Sequence, residues 1–156
     1  IYSSLQFLPA SLAKLTLQYS RIQQDPAAVL EQLPNLELLR FIDSYSRSEL
    51  ACSAGGFSKP ETLQFNFLYP LDEWQIEKDA MPSLKRVDIV KIPQMKMIPE
   101  GLKLVTTLRR LNVIRLSNSS ERRLIIDEKG IGGKDFYKVR QIVSISISQE
   151  TVNLIW

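Results

Sequence analysis

Five copies of one short pattern, apolar-x-x-apolar-x-apolar, recur in this chain at a constant spacing of 24 residues: Leu12/Leu15/Leu17, Leu36/Leu39/Phe41, Pro60/Leu63/Phe65, Leu84/Val87/Ile89 and Leu108/Leu111/Val113. Inside each copy the alternation has period 2, as in Leu15-Thr16-Leu17, which describes a short strand with one buried side. A strand that short cannot bury its apolar side alone. Units repeated without slippage must therefore stack, each supplying the core of the next.

The pattern and its period match the leucine-rich repeat. The predicted fold is an α/β solenoid, a horseshoe with a parallel sheet on its concave face and a mostly irregular or short-helical convex side. One domain spans residues 1–156: five repeats, then a longer capping unit over about residues 115–156. Strands are expected near Leu15–Leu17, Leu39–Phe41, Leu63–Phe65, Val87–Ile89 and Leu111–Val113. A sixth is expected near Ile145–Ile147, delayed beyond the repeat length because its opening residue is Ile142 and not Gly132. Asp25, Pro26 and Ala27 to Leu33 read as a cap, a first-position proline and a short helix. Ser44 to Phe57, Ser-rich with Gly55-Gly56, reads as irregular loop. Trp74 is expected to plug the convex side of the core. Pro93, Pro99 and Gly101 leave the fourth crossing room for no more than a turn of helix. Ser117 to Lys134 reads as polar loop with an amphipathic stretch around Arg123–Ile126. Residues 1–8 supply no recognisable cap, so the segment reads as cut from a longer protein.

Composition narrows the chemistry. The 156 residues contain no histidine and one cysteine, Cys52. Without histidine the Ser-His and Cys-His pairings of nucleophilic catalysis and the commonest zinc ligand are missing. Gly130-Ile-Gly-Gly-Lys134 lacks the spacing of a phosphate loop, and Asp135 beside the lysine opposes phosphate. Asp72-Glu73 and Asp127-Glu128 have no partner base and read as solvated surface. Neither an enzyme nor a cofactor is expected. A lone cysteine points to an intracellular, reducing setting, against which Asn118-Ser119-Ser120 is a formal glycosylation triplet only. No apolar stretch is long enough to span a membrane. Residues 1–78 carry 6 basic and 9 acidic side chains, and residues 79–156 carry 14 and 8. Stacking turns sequence halves into spatial halves, so one end should be mildly acidic and the other basic. The basic half lacks interleaved aromatics, which argues against nucleic acid and leaves protein as the partner class.

More specific elements lie between the strands. They are Leu33-Pro-Asn-Leu36-Glu37, Cys52-Ser-Ala-Gly-Gly-Phe57, Trp74-Gln-Ile-Glu77, Ala80-Met-Pro-Ser-Leu84, Ile98-Pro-Glu-Gly-Leu102 and Asp135-Phe-Tyr-Lys-Val139. In this order they resemble the C-terminal leucine-rich repeats of plant coiled-coil NLR disease-resistance proteins. The resemblance implies a cytoplasmic immune receptor whose nucleotide-binding switch is encoded N-terminal to this segment. It further implies repeats that hold the switch inactive and sense pathogen effectors or effector-modified host proteins, with the receptor's own nucleotide-binding domain as a competing partner. A generic repeat scaffold or substrate-recruiting subunit is the alternative. Three departures stand out. Ser20, Ser44, Leu68, Ile92 and Leu116 occupy the post-strand position where many repeats keep Asn or Cys, which predicts a weakened turn ladder and an irregular solenoid. Pro60 replaces a leucine, and Val143 stands where the last strand of the family often has proline.

Binding is expected on the concave strand positions. The candidate protein-binding residues are Leu38, Arg40, Ile42, Arg86, Asp88, Val90, Arg110, Asn112 and Ile114, with Leu38, Ile42, Val90 and Ile114 exposed as apolar anchors among arginines. Gln64 on the same face is expected to be solvated, so that its truncation changes stability by no more than about 0.5 kcal/mol.

Overall fold

The computed structural model describes residues 5–22 and 25–148. The repeat spacing becomes a six-stranded parallel sheet whose strands are β1 (Lys14–Gln18), β2 (Leu38–Ile42), β4 (Thr62–Asn66), β6 (Arg86–Val90), β7 (Arg110–Ile114) and β8 (Ser144–Ser148), adjacent in that order. The register advances by one repeat length at each step from β1 to β7, aligning Leu15, Leu39, Leu63, Val87 and Leu111. The step from β7 to β8 is longer and aligns Leu111 with Ile145. One side of each strand forms the core: Leu39, Phe41, Leu63, Phe65, Val87, Ile89, Leu111 and Val113 are buried. Full burial of such a side chain contributes about 1.5–3 kcal/mol. The edge strands are less complete, with Leu15 and Leu17 in β1 and Ile145 and Ile147 in β8 only half-buried.

The convex side is more ordered than its sequence suggests. Within the stretch read as irregular loop lies β3 (Glu49–Cys52), which pairs in parallel with β5 (Glu73–Ile76), again one repeat length further on. The alternation explains both strands: Leu50, Cys52, Trp74 and Ile76 are buried, while Glu49, Glu73 and Gln75 face outward. Four residues flanked by serines were too short a run to stand out. Trp74 plugs the core as expected, its ring edge-on to Phe65 with centroids 5.0 Å apart. Phe65 meets Phe41 at 5.8 Å, and Phe41 meets Tyr45 at 6.2 Å, so four rings tie repeats two and three together. Cys52 is buried beside them, and desolvation pushes its thiol up to about 12.

The turn ladder is regular, against the sequence expectation. Ser44, Leu68, Ile92 and Leu116 are buried in its line, and at the last three apolar packing replaces the polar side chain. The backbone supplies the hydrogen bonds. Tyr19, Asp43, Phe67, Lys91 and Arg115 recur once per repeat, each just before a ladder residue, and all have positive φ between 43° and 58°. Each donates its N–H to the last strand residue of the next repeat: Ile42, Asn66, Val90, Ile114 and Ser148 respectively, at 2.8–3.0 Å. Five non-glycine residues in the left-handed region are costly individually. They persist because a repeated ladder bond and the packing of the residue that follows fix each one.

The remaining connections follow their local chemistry. Asp25 accepts from the Ala27 N–H at 2.9 Å, and a helix runs over Ala27–Leu30. Glu100–Leu104 is a single 3-10 stretch between the prolines and β7. In the final unit the helix falls at Asn118–Arg122, capped by the Ser117 hydroxyl, rather than at the Arg123–Ile126 stretch. The Ser120 hydroxyl of the glycosylation triplet is buried and donates to the Met95 carbonyl at 2.7 Å. At the other end Leu5 is buried and Leu8 packs on the core, while residues 1–4 of the expected uncapped edge lie outside the described residues.

Candidate functional site

Three columns of side chains cross the concave face, and the sheet register fixes their order. The first holds Lys14, Leu38, Thr62, Arg86, Arg110 and Ser144; the second Thr16, Arg40, Gln64, Asp88, Asn112 and Ser146; the third Gln18, Ile42, Asn66, Val90, Ile114 and Ser148. Neighbours within a column sit one strand spacing apart, roughly 4.8 Å.

The second column is a continuous polar network. Arg40 Nε donates to Gln64 Oε1 at 2.5 Å, Gln64 Nε2 donates to Asp88 Oδ2 at 2.7 Å, and Asn112 Nδ2 donates to Asp88 Oδ1 at 2.6 Å. Arg86 closes on the same carboxylate from the first column, with Nε 3.1 and 3.0 Å from its two oxygens and Nη2 2.9 Å from Oδ2. Asp88 has no solvent exposure, so its charge is tolerated only because these donors fill its acceptor sites. Burial holds the Arg40 guanidinium below its usual range, and Asp88 works against that shift. Gln64 is the residue sequence reading placed wrongly. It is 4% exposed and links two charged groups, so it belongs to the frame of the face rather than to its solvent layer.

Two further corrections concern the apolar anchors. Leu38 and Ile42 are half-exposed, but Val90 and Ile114 are each only 4% exposed. Their in-register neighbours flank them on both sides, Asn66 and Ile114 around Val90, then Val90 and Ser148 around Ile114. They stiffen the face instead of offering contact area. Asn66, buried in the same column, leaves both amide atoms without a hydrogen-bond partner among the described residues.

The basic end separates into held and unheld charges. Lys85 pairs with Glu61 at 3.0 Å and Arg86 with Asp88. Arg109 and Arg110 are exposed and have no ion-pair partner among the described residues. The sequence candidates thus fall into three groups: Arg40, Arg86, Asp88 and Asn112 form a fixed polar frame, Val90 and Ile114 lie beneath the surface, and Leu38, Ile42 and Arg110 present contact area.

A second cluster lies on the convex side, where a groove of about 880 Å³ opens between β5, residues 94–101 and the final unit. The Asp135-Phe-Tyr-Lys element builds its far wall. Arg123 grips Asp135 through Nε at 2.7 Å and Nη2 at 2.9 Å, and buried Lys138 reaches Asp135 Oδ1 at 3.2 Å and the Ile98 carbonyl at 2.9 Å. The Tyr137 hydroxyl donates to Glu100, which also pairs with Lys103. Hydrogen bonds from Lys103 and Tyr137 lower the Glu100 carboxyl to about 2. Burial alone would raise Asp135, yet the hydrogen bonds from Arg123 and Lys138 bring it below its usual value. The element is a charged clasp between the final unit and the fourth repeat. No helix among the described residues is long and apolar enough to cross a membrane.

Probable disease resistance RPP8-like protein 2 of Arabidopsis thaliana is 33% identical to this chain over 138 residues, which is 88% of the chain and 15% of that protein. Probable disease resistance protein At1g59620 and disease resistance protein RPP8, both from the same plant, are 32% and 30% identical over the same share of each chain. No protein-family model matches. The chain therefore spans only a small part of the curated relatives it matches, and those relatives are plant disease-resistance proteins, as the sequence resemblance implies.

Proposed function

We propose that this chain is the protein-recognition module of an intracellular plant immune receptor, and that its concave face senses pathogen effectors or effector-modified host proteins while restraining the receptor's nucleotide-binding switch. One observation carries the reading: Arg109 and Arg110, exposed and without an ion-pair partner among the described residues, stand at the edge of a polar frame whose own charges are already satisfied. Unpaired guanidinia on a rigid face attract an acidic partner and set its register. The half-exposed Leu38 and Ile42 at the other end offer apolar contact, so partner charge steers arrival and apolar burial governs residence. A competing contact with the switch domain over the same surface gives a release mechanism, provided the effector binds the released state more tightly.

Arg86 is a poor handle for the test, since a carboxylate there would face buried Asp88. Arg109→Glu/Arg110→Glu leaves the frame intact. Placed in the full-length receptor, this pair of changes should alter cell death, either by abolishing the triggered response or by producing it without the trigger. Unchanged behaviour with and without the trigger would remove the face from the mechanism.

A further inference from the structure

We propose that the convex groove takes an extended segment of a partner protein in which basic and acidic residues alternate, the basic ones turned toward β5 and the acidic ones toward the other walls. This surface is separate from the concave face and does not depend on what that face recognises.

The groove exists because the convex sheet stops in mid-chain. Its walls all lie within residues 72–138, inside the continuous described stretch 25–148. Glu73 and Glu77 donate their N–H groups to the Ser48 and Cys52 carbonyls, so alternate residues of β5 hold it to β3. Gln75 lies midway between them. One repeat length further on, its counterpart is Pro99, which has no N–H to donate, and Glu100 then opens a 3-10 turn. Among the described residues no third strand joins β3 and β5, and a space of about 880 Å³ lies beyond β5.

The charges of this groove sort by wall. Asp72, Glu73 and Glu77 are exposed on the β5 side, and Lys96 and Lys134 are exposed on the other sides. None of these five has an ion-pair partner among the described residues. The other lining charges are held: Arg123 and Lys138 on Asp135, and Glu100 on Lys103. Glu49 stands in register with Glu73 and is exposed as well. Like charges directly opposite each other repel, so a cation laid beside Glu73 relieves both carboxylates.

That segregation selects the occupant. A uniformly basic segment would meet Lys96 and Lys134, and a uniformly acidic one would meet the β5 carboxylates. An extended chain turns successive side chains to opposite sides. Glu73 and Glu77 are four residues apart, roughly 13 Å along extended backbone, so residues i and i+4 of the occupant match them. The residues between turn toward Lys96 and Lys134. Met97 and Tyr137, exposed on those same sides, add apolar contact. The far wall is already ordered, with Lys138 on the Ile98 carbonyl at 2.9 Å and the Tyr137 hydroxyl on Glu100, so binding has little side-chain freedom left to remove there.

The test follows NMR amide signals of the 156-residue chain with two end-blocked peptides of identical composition, Lys-Glu-Ser-Val-Lys-Glu and Lys-Lys-Ser-Val-Glu-Glu. Both are neutral overall, and only the first sorts its charges by side. Single exposed ion pairs contribute little, so the pattern and not the total charge must decide. At millimolar concentration the alternating peptide should move the Trp74, Ile76, Met97 and Tyr137 amides and leave Gln64 and Asn112 in place. The blocked peptide should bind roughly tenfold more weakly, and added salt should shrink the difference. Glu73→Gln and Lys134→Gln, exposed changes on opposite walls, should each reduce the preference roughly threefold. Equal affinity for the two peptides, or a preference that survives both substitutions, would overturn the proposal. So would shifts confined to the concave face, or no shift with either peptide.

Discussion

Asp88 sits at the centre of the concave face without solvent exposure and accepts from Gln64, Asn112 and Arg86 at once. Removing it would strand a buried amide and a guanidinium, so Asp88→Ala should cost about 2–4 kcal/mol in urea unfolding, discounted because Arg86 keeps some solvent access. Gln64→Ala breaks one link to each neighbour and should cost about 1–2 kcal/mol. Exposed Arg110→Ala should stay within about 0.5 kcal/mol. Equal shifts for all three would show that the network contributes nothing to stability. This distinction was not legible in the sequence. Period 2 correctly placed all three on the concave side, but it carries no information about cross-strand partners. Gln64 becomes a frame residue only because Arg40 and Asp88 stand one register step away on either side.

The elements were legible where their signal was periodic and opaque where it was not. Each of the five repeat strands lies over its motif, and β8 was found by its Ile spacing. β3 and β5 were hidden, because four residues of alternation between serine-rich or acidic flanks do not rise above loop composition. The packing on this convex side nonetheless explains two glycines that the sequence offered only as turn formers. A Cβ on Gly101 would lie 1.9 Å from the Ile76 carbonyl oxygen at the end of β5, a backbone atom that cannot yield without moving the strand. A Cβ on Gly56 would lie 2.5 Å from the Glu31 carboxyl carbon, the end of a side chain that can swing away, losing its bond to the Ser53 N–H. Gly101→Ala should therefore destabilise by about 1–3 kcal/mol or more, and Gly56→Ala by about 1 kcal/mol. Thermal melts that reverse this order would show that β5 yields more easily than the Glu31 side chain. Trp74→Ala, which removes a buried indole packed on Phe65 at one end of the four-ring run, should exceed both at about 3–5 kcal/mol.

Across the whole molecule contacts run between units close in sequence, so stability is local and the ends can detach without the middle. The final unit is joined through the same sheet, by β8 on β7, and through the charged clasp of Asp135, Arg123, Lys138, Tyr137 and Glu100. Sequence reading found Asp135-Phe-Tyr-Lys by resemblance alone, since the partners that give it meaning lie on other units. The clasp makes this end sensitive to acid. Glu100 has its carboxyl lowered from 4.5 to about 2, chiefly by hydrogen bonds from Lys103 and Tyr137, and Asp135 moves in the same direction. A carboxylate whose folded pKa lies below its unfolded value stabilises the fold fully above the unfolded value and loses that contribution as pH falls through the folded one. The window for Glu100 thus runs from 4.5 down to about 2. The repeats in the middle of the sheet rely on apolar ladders that do not titrate, although Asp88 lies among them. On acidification through this window, NMR amide signals of Phe136–Lys138 and Ser144–Ser148 should therefore move or broaden before those of Leu63, Phe65 and Val87. Added salt should advance the loss by screening exposed Glu100 from its cations. Simultaneous disappearance of all these signals would mean that the chain unfolds as one unit and that the clasp is not its weakest joint.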